Sequence, residues 1–359
     1  MNSLASAHNV DAEGPQWVRD VHRTVRDLCA PNPAIYYADL GCTLVAGHAA
    51  FACFSSAQAP AVRFVAFLAA GFAFARAVTF THEIAHYGSR RLRRFKRWWN
   101  VLVGVPFLVP SFLYDEHRRH HLKHSYGTAD DSEYLPLAGG TVVDLVRYFG
   151  QAPLVPLLGV VRFVLLAPVE WCVPALSRRL WASSTAIIAI NWRFRRTWDY
   201  DSAEFGSAQR MALACFCYGA GFFTLVGCGV LPGTILGHYY LVFLFVSSVN
   251  YVRILTSHRY RSDGRESSYL GQLLDSYTIP GHPILTELWA PLGTRYHALH
   301  HLVPSLPYHN LGRAHRRLMA RLPADSPYRQ TVRPSLVATL REVVGCIRRN
   351  AASRSVSVA

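Results

Sequence analysis

The stretch AVRFVAFLAAGFAFARAVTFTHEIAH, residues 61–86, decides the fold. Residues 61–80 are mostly apolar and match the roughly 20 residues that a helix needs to cross a bilayer. They run directly into His82-Glu83-Ile84-Ala85-His86, in which two histidines are separated by one helical turn and share one helix face. An apolar span that ends in a pair of potential metal ligands predicts a membrane protein with a metal site at the end of a helix.

The pentapeptide has two interpretations. It satisfies H-E-x-x-H, in which the histidines His82 and His86 bind zinc and Glu83 activates water, as in a membrane zinc protease. That remote alternative leaves the other histidine clusters of the chain without a role. The second interpretation is that the motif serves another metal chemistry.

Composition favours a membrane protein throughout. The 359 residues are 51% hydrophobic and only 16% charged, too apolar for an ordinary soluble protein of this size. The net charge of +15 does not indicate a nucleic-acid partner, because the arginines flank apolar stretches and form a basic rim beside the membrane. Membrane lipid is the expected neighbour.

Four apolar stretches, at about 34–56, 61–80, 211–231 and 235–256, predict two transmembrane helical hairpins. Basic residues flank the hairpins but not their turns, so we expect both termini and the middle segment to lie in the cytoplasm. Residues 101–113 are too short to cross and predict a re-entrant or interfacial segment. Residues 141–176 contain charges and four prolines and predict interfacial helices along the membrane. The predicted units are an N-terminal cytoplasmic segment (1–33), a membrane domain (34–322) and a C-terminal cytoplasmic helix and tail (323–359).

Histidines are the most informative residues. Three clusters stand out: His82 and His86; His117, His120 and His121; and His297, His300 and His301. On a helix, positions i, i+3 and i+4 lie on one face, so each cluster directs its imidazoles the same way. Eight imidazoles exceed the roughly four ligands of one zinc ion, which implies two metals. An even number of crossings would bring all three clusters to one face, so we expect a cytoplasmic helical cap that carries a histidine-rich di-metal site on an all-α integral membrane protein.

The motifs HEIAH (82–86), HRRHH (117–121) and HALHH (297–301) resemble the three histidine boxes of the membrane fatty acid desaturase family in type, order and spacing. The resemblance covers roughly residues 34–322, and RYHALHHLVPSLPYHNLGRAHRRL (295–318) is similar to the third box of bacterial members. It implies two iron ions (Fe2+/Fe3+) held by histidine, O2 as co-substrate, and removal of two hydrogens from neighbouring carbons of an acyl chain.

The same resemblance implies a ninth ligand after the last span, His258 in LTSHRY (255–260). The family often has asparagine four residues before this histidine, where it holds a metal-bound water; here that position is Ile254, and Asn250 is not assigned the role. The resemblance thus implies the metal ligands His82, His86, His117, His120, His121, His258, His297, His300 and His301. No catalytic residue beyond these ligands is expected.

Several nearby residues are expected to support the ligands. Glu83 would point away from the metals and orient a neighbouring imidazole or arginine. Asp115 and Glu116 would act similarly on the second box, or cap a helix. His124 is expected to be solvated or to contact a ligand without binding metal.

The expected reaction is desaturation of an acyl lipid or an acyl thioester linked to CoA or a carrier protein. A sister di-iron hydroxylase, ketolase or acetylenase on the same scaffold is the alternative. The chain has no His-Pro-Gly-Gly, dinucleotide-binding or four-cysteine motif, so a separate ferredoxin or cytochrome b5-type donor with its reductase is expected. The expected location is the inner or cell membrane, with the active site facing the cytoplasm.

Overall fold

The computed structural model describes residues 16–86, 90–135, 137, 140–184 and 194–357. Across these residues the chain is nearly all helical and contains no β-strand beyond two isolated bridges, His258 with Ser276 and Thr278 with Val332. The predicted all-α class is therefore confirmed. Residues 1–15 of the predicted N-terminal segment and the last two residues of the predicted tail lie outside this description.

The α-helices follow one another along the chain. They are α1 Gln16–Val25, α2 Pro33–Ser56, α3 Pro60–His86, α4 Arg90–Trp99, α5 His117–His120, α6 Val142–Gly150, α7 Val155–Val160, α8 Leu166–Cys172, α9 Pro174–Ser184, α10 Ala203–Gly227, α11 Thr234–Leu255, α12 Tyr269–Asp275, α13 Leu285–Trp289, α14 His297–Leu302, α15 Tyr308–Arg321 and α16 Leu336–Ser357. Short 3₁₀ helices cover Arg26–Leu28, Ser111–Tyr114, Ala152–Leu154, Thr294–Tyr296 and Arg329–Thr331, and π-helices cover Asn100–Gly104 and Val161–Leu165.

Close packing of α2, α3 and α11 builds the body that positions the histidines. A Cβ at Gly47 would lie 2.7 Å from the ring of Phe74, and one at Gly71 would lie 2.4 Å from Phe245. Real Cβ atoms do not approach that closely, so glycine at these positions lets each aromatic ring seat against the facing helix backbone. Helix α3 is thereby held between α2 and α11.

Five described helical runs are long and apolar enough to cross a membrane: Pro33–Ser56, Pro60–His86, Val142–Cys172, Ala203–Gly227 and Thr234–Leu255. The chain is thus a multi-pass membrane protein. Four of the runs correspond to the predicted spans. The fifth, Val142–Cys172, falls where the sequence predicts interfacial helices. The structure thus has one more candidate span than the four expected, while the interfacial position of residues 141–176 and the two-hairpin arrangement stay predictions.

The prolines of this fifth run explain the difference. Pro153 and Pro156 occupy first-turn positions of successive short helical segments, where a missing N–H costs no helical hydrogen bond. The charge of Arg162 is paired with Glu170 at 3.1 Å, and both side chains are buried. Prolines and charges therefore bend the run without stopping it.

Both ends of the bent run pack near the histidine-bearing part of the fold. The ring of Tyr148 lies 4.5 Å from that of Tyr251 on α11, shortly before His258. Just beyond the run, the ring of Trp181 lies 5.5 Å from that of Phe112, shortly before the second box. The run therefore does not separate the second histidine box from the third.

Residues 101–113 form no long helix. The π-helix ends at Gly104, and the side chain of Asn100 closes the following loop by donating to Ser111 Oγ (2.9 Å) and accepting from the Ser111 backbone (2.8 Å). This agrees with a segment too short to cross, and its re-entrant or interfacial position stays a prediction.

The terminal helices cover the histidine end. Val18, Val21 and Val25 of α1 are buried in one cluster with Leu299 of the third box. Near the other terminus, Val343 of α16 is buried in a cluster with other residues around His258. The domain boundaries at 33 and 322 stay predictions.

Candidate metal centre

The first box lies on the last two turns of α3. His82 is 3% exposed, and His86 is the last residue of the helix. Because the apolar span and the box form one continuous helix, the imidazoles are fixed at the end of the membrane-spanning segment. Their ring centroids are 5.6 Å apart.

The second box forms the single-turn helix α5 and its C-cap, His121. The His117 ring lies 4.5 Å from that of His82 and 4.6 Å from that of His86, measured between centroids. The imidazoles of the first two boxes are therefore in contact although a loop and helix α4 separate them in the chain.

The third box begins helix α14, and His258 follows the end of α11. His300 packs against the first box, with its ring 4.3 Å from that of His82. His297 Nε2 lies 3.0 Å from His258 Nε2. The third box thus reaches both the first box and His258.

Eight of the nine predicted ligands form two groups, each with one nitrogen per residue and all of those nitrogens within 4.8 Å of one another. The first group is His82, His86, His117 and His300, and the second is His120, His258, His297 and His301. Each group could hold a metal ion, and each draws on distant parts of the chain. The two-site geometry is the arrangement that the histidine count predicts.

His121 belongs to neither group as defined by that distance, but it lies between them. Its Nε2 is 3.3 Å from His117 Nε2 of the first group, and its ring centroid is 4.3 Å from that of His301 of the second. The structure therefore brings all nine predicted residues together, with His121 at the boundary.

The hydrogen bonding of these imidazoles fits bound metal ions. Both ring nitrogens of His82 and of His300 are buried and have no hydrogen-bond partner among the described residues, and neither does His86 Nε2. A buried polar atom without a partner is costly, so a clustered set of them indicates a missing ligand. Imidazole nitrogen suits iron, zinc, copper and nickel, so the residues fit iron without singling it out.

Two carboxylates contact the second box from outside the cluster. The carboxylate of Glu133 lies 2.8 Å from His117 Nδ1, and that of Asp131 lies 2.8 Å from His120 Nδ1. When Nδ1 donates to a carboxylate, Nε2 keeps its lone pair for a metal. The carboxylates thus turn the free nitrogen of each ring toward the cluster.

His258 is oriented by hydroxyl groups instead. Tyr126 Oη lies 2.9 Å from His258 Nδ1 and donates to Asp275 Oδ2, also at 2.9 Å, while Ser276 Oγ lies 3.2 Å from the same nitrogen. Tyr134 donates to the same Asp275 oxygen at 2.6 Å. A tyrosine therefore links this buried carboxylate to the ninth predicted ligand.

Burial governs the protonation of the cluster. It lowers the pKa well below the usual histidine range for His117, His121, His258, His297, His300 and His301. These rings are therefore neutral and have a lone pair to offer. Burial acts in the same direction on the pKa of His120, but the neighbouring Asp131 outweighs it and the net shift is upward. Burial also raises the pKa of Glu133 to about 7.

The expected supporting roles of three acidic residues are found only in part. Glu83 does point away from the cluster, but it accepts from the Tyr36 hydroxyl (2.7 Å) and the Tyr308 backbone (3.2 Å), not from an imidazole or arginine. This direction also removes it from the position that a protease base needs. Asp115 forms an ion pair with Lys96. Glu116 pairs with Arg119 of the second box and with Arg196, and it is the N-cap residue of α5 but makes no side-chain capping hydrogen bond.

The supporting residues that sequence reasoning missed are Tyr126, Asp131, Glu133 and Asp275. The first three follow the second box within sixteen residues, and this proximity to HRRHH is the one signal that pointed to them. No such signal marked Asp275. His124, three residues past the box, is exposed.

An apolar cavity of about 570 Å³ lies beside the cluster. It reaches the cluster through Thr81, adjacent to His82 in α3, and through Tyr114, whose ring stacks 4.9 Å from that of His117. Its walls come from α3, the loop before the second box, the bent run and α11. Such a cavity has the size and lining typical of sites for apolar ligands.

Fold and site together define a class: a helical, multi-pass membrane protein with two buried histidine groups beside an apolar cavity. A sequence model described as fatty acid desaturase matches residues 59–332. The chain is also 34% identical over 347 residues to the ceramide hydroxylase of Caulobacter vibrioides (strain NA1000 / CB15N), covering 94% of this chain and 96% of that protein. The chain belongs to the fatty acid desaturase family, and the predicted resemblance is confirmed.

Proposed function

We propose that the protein is an O2-dependent di-iron hydroxylase that oxidises a C–H bond of a ceramide or a related long-chain lipid. The observation that carries the proposal is the pair of buried histidine groups that lie beside the apolar cavity. The similarity to a ceramide hydroxylase over nearly the whole of both chains favours oxygen insertion and this substrate class.

We propose that the nine histidines hold two iron ions. The first group would bind one ion and the second group the other, with His121 available to either. Iron bound in this way would supply the O2-derived oxidising power that attack on an unactivated C–H bond requires. Asp131, Glu133 and Tyr126 fix the rings that hold it.

The protein itself would position the lipid chain and exclude water from the site. The cavity would hold the lipid chain so that one carbon lies next to the histidines, and its apolar wall would exclude water from the reactive region. The position of that carbon then follows from how far the lipid enters the cavity.

Desaturation remains the second candidate, because the family match is to fatty acid desaturases. Desaturation and hydroxylation share the first hydrogen abstraction and differ in whether a second hydrogen leaves or oxygen is added. Sub-ångström placement of the chain decides between them. Desaturation is therefore retained as the alternative reaction of the same site.

Electrons are proposed to come from a separate ferredoxin or cytochrome b5-type protein with its reductase. The proposed location is the inner or cell membrane, with the histidine end facing the cytoplasm. Basic residues near the ends of the spans support this orientation.

The test is expression in a host that contains ceramide and a matching reductase system, followed by mass spectrometry of the extracted lipids. Hydroxylation predicts a product that gains one oxygen, which carries the heavy isotope when labelled O2 is supplied. Loss of two hydrogens without oxygen gain would instead establish the desaturase. Unchanged lipids, with iron-loaded protein and active reductase present, would contradict both.

A further inference from the structure

Besides Tyr114, whose hydroxyl already donates to Glu133, the polar side chains of Thr81 and Asn250 line the cavity toward the histidine end, on the packed helices α3 and α11. Thr81 precedes His82 on α3, and its hydroxyl has no hydrogen-bond partner among the described residues. Asn250 lies near the end of α11 and is joined to the buried Arg253. Both residues are half-buried, so in a cavity that is otherwise largely apolar their polar groups are open to a ligand that enters it.

Arg253 determines which way the Asn250 amide points. Asn250 Oδ1 accepts from Arg253 Nε at 3.1 Å and from Arg253 Nη2 at 2.8 Å. Arginine only donates hydrogen bonds, so the amide oxygen must face it and the NH2 group must face the opposite direction. Within the described residues that NH2 group has no partner, and Asn250 belongs to the cavity wall. Its two N–H donors are therefore available to a ligand.

We propose that Asn250 and Thr81 bind a carbonyl oxygen of the lipid substrate. The oxidised carbon then lies close to that carbonyl and not in the middle of a hydrocarbon chain. The inference rests on the proposed lipid oxidation and adds its positional rule. An N-acyl amide, as in ceramide, supplies such an oxygen between two long chains, and an ester supplies the same acceptor.

The energetic reason is the cost of leaving the donors unpaired. A site built to hydrogen-bond a substrate discriminates strongly against an analogue that lacks the polar group, because such an analogue would cover the donors and leave them unsatisfied. An all-hydrocarbon chain would displace water from Asn250 without replacing the hydrogen bonds that the water made. A chain with its carbonyl at this point would satisfy the donors and be held in one register.

Matched variants isolate the donors. Asn250→Asp keeps an acceptor for Arg253 but removes both N–H donors. Thr81→Val keeps the side-chain shape and removes the hydroxyl. Thr79→Val is the control, because Thr79 Oγ1 donates to the Ala75 carbonyl at 2.8 Å within α3 and does not line the cavity.

The experiment measures equilibrium binding of three probes to purified, iron-loaded protein in detergent: a short-chain ceramide, an ester of equal chain length, and the matching alkane. We expect wild-type protein and Thr79→Val to bind both carbonyl probes about tenfold more tightly than the alkane. Asn250→Asp should lose most of this preference, and Thr81→Val part of it. Comparison of the ceramide with the ester shows whether an amide or an ester carbonyl binds more tightly.

An unchanged preference in Asn250→Asp and Thr81→Val would overturn the inference, and so would a product oxidised far from the carbonyl. Thr81→Val keeps the test decisive if the aspartate variant fails to fold. Binding does not require turnover, so failure of the proposed function is seen separately. In that case the wild-type protein prefers the carbonyl probes but forms no oxidised lipid.

Discussion

Asp131 Oδ2 lies 2.8 Å from His120 Nδ1, on the side of the ring opposite to His258, whose Nε2 lies 3.1 Å from His120 Nε2. The same carboxylate accepts from the backbone N–H groups of Gly127 (2.8 Å) and Glu133 (2.9 Å). Asp131 therefore joins the loop after the second box to the imidazole that faces the cluster.

Replacing this carboxylate tests its orienting role. Asp131→Asn removes the charge that holds His120 Nδ1 protonated, and we expect roughly a 10–100-fold loss of metal affinity or activity, as for other partners of metal-binding histidines. Iron retained against a graded chelator is the measurement. Asp130→Asn, at an exposed neighbouring position, is the control. Equal retention in the two variants would show that Asp131 does not orient a ligand.

Tyr126 offers a second, independent test of orientation. Its hydroxyl lies between His258 Nδ1 and Asp275, both at 2.9 Å. Tyr126→Phe removes both contacts while keeping the ring, and we expect about a tenfold fall in product formation with the protein still inserted in the membrane. The exposed Tyr200 supplies the control variant Tyr200→Phe. Full activity of Tyr126→Phe would remove the tyrosine from the account.

A ligand substitution should act more severely. His120→Ala deletes a buried imidazole of the second group, and we expect product to be abolished while expression and membrane insertion remain. His124→Ala, an exposed histidine one turn beyond the box, should keep wild-type activity. Lipid analysis of membranes with matched protein levels makes the comparison. Product from His120→Ala would contradict the ligand assignment.

The buried pair of Arg162 and Glu170 predicts a stability effect away from the histidines. Their side chains are 1% and 4% exposed and 3.1 Å apart. Glu170→Gln leaves the guanidinium charge unpaired, and we expect a loss of about 3–5 kcal/mol in the free energy of unfolding. Thermal unfolding in detergent measures it.

The double variant Arg162→Met/Glu170→Gln is the matched control. It removes both charges and should recover most of the lost stability, because no buried ion is left without a partner. A double variant as unstable as Glu170→Gln would mean that the arginine contributes packing over Trp181 more than charge.

Sequence reasoning predicted the histidines well because their spacing follows helix geometry. His82 and His86 share a helix face, as do His297, His300 and His301, and the structure brings these faces together. Whether they bind metal stays a prediction. The spacing predicts the shared face because the helical repeat fixes the direction in which the histidine side chains of each box point.

The orienting carboxylates could not be predicted in the same way. Asp131 and Glu133 lie in an irregular stretch, where no repeat fixes the direction of a side chain. Asp275 reaches His258 only through Tyr126, a contact made by tertiary packing. Asp115 and Glu116 immediately precede His117, but adjacency in sequence does not by itself place a carboxylate against the imidazole ring. Nearby Lys96 and Arg196 pair with them instead.

The length and continuity of the run Val142–Cys172 could not be predicted for a related reason. Prolines and charges normally argue against a long membrane helix, but here Pro153 and Pro156 begin short segments and Arg162 finds a partner. The pairing that neutralises a charge depends on the fold, so composition alone cannot reveal it.

The most direct measurement of the central claim is the iron content of the purified protein, compared with single variants of each group. The account predicts about two irons per chain, one for each group of four histidines. It predicts about one iron per chain in His300→Ala, which removes a histidine of the first group, and about one iron per chain in His297→Ala, which removes a histidine of the second. Protein that folds and inserts but binds no iron when supplied with it, or that keeps both irons in these variants, would contradict the claim.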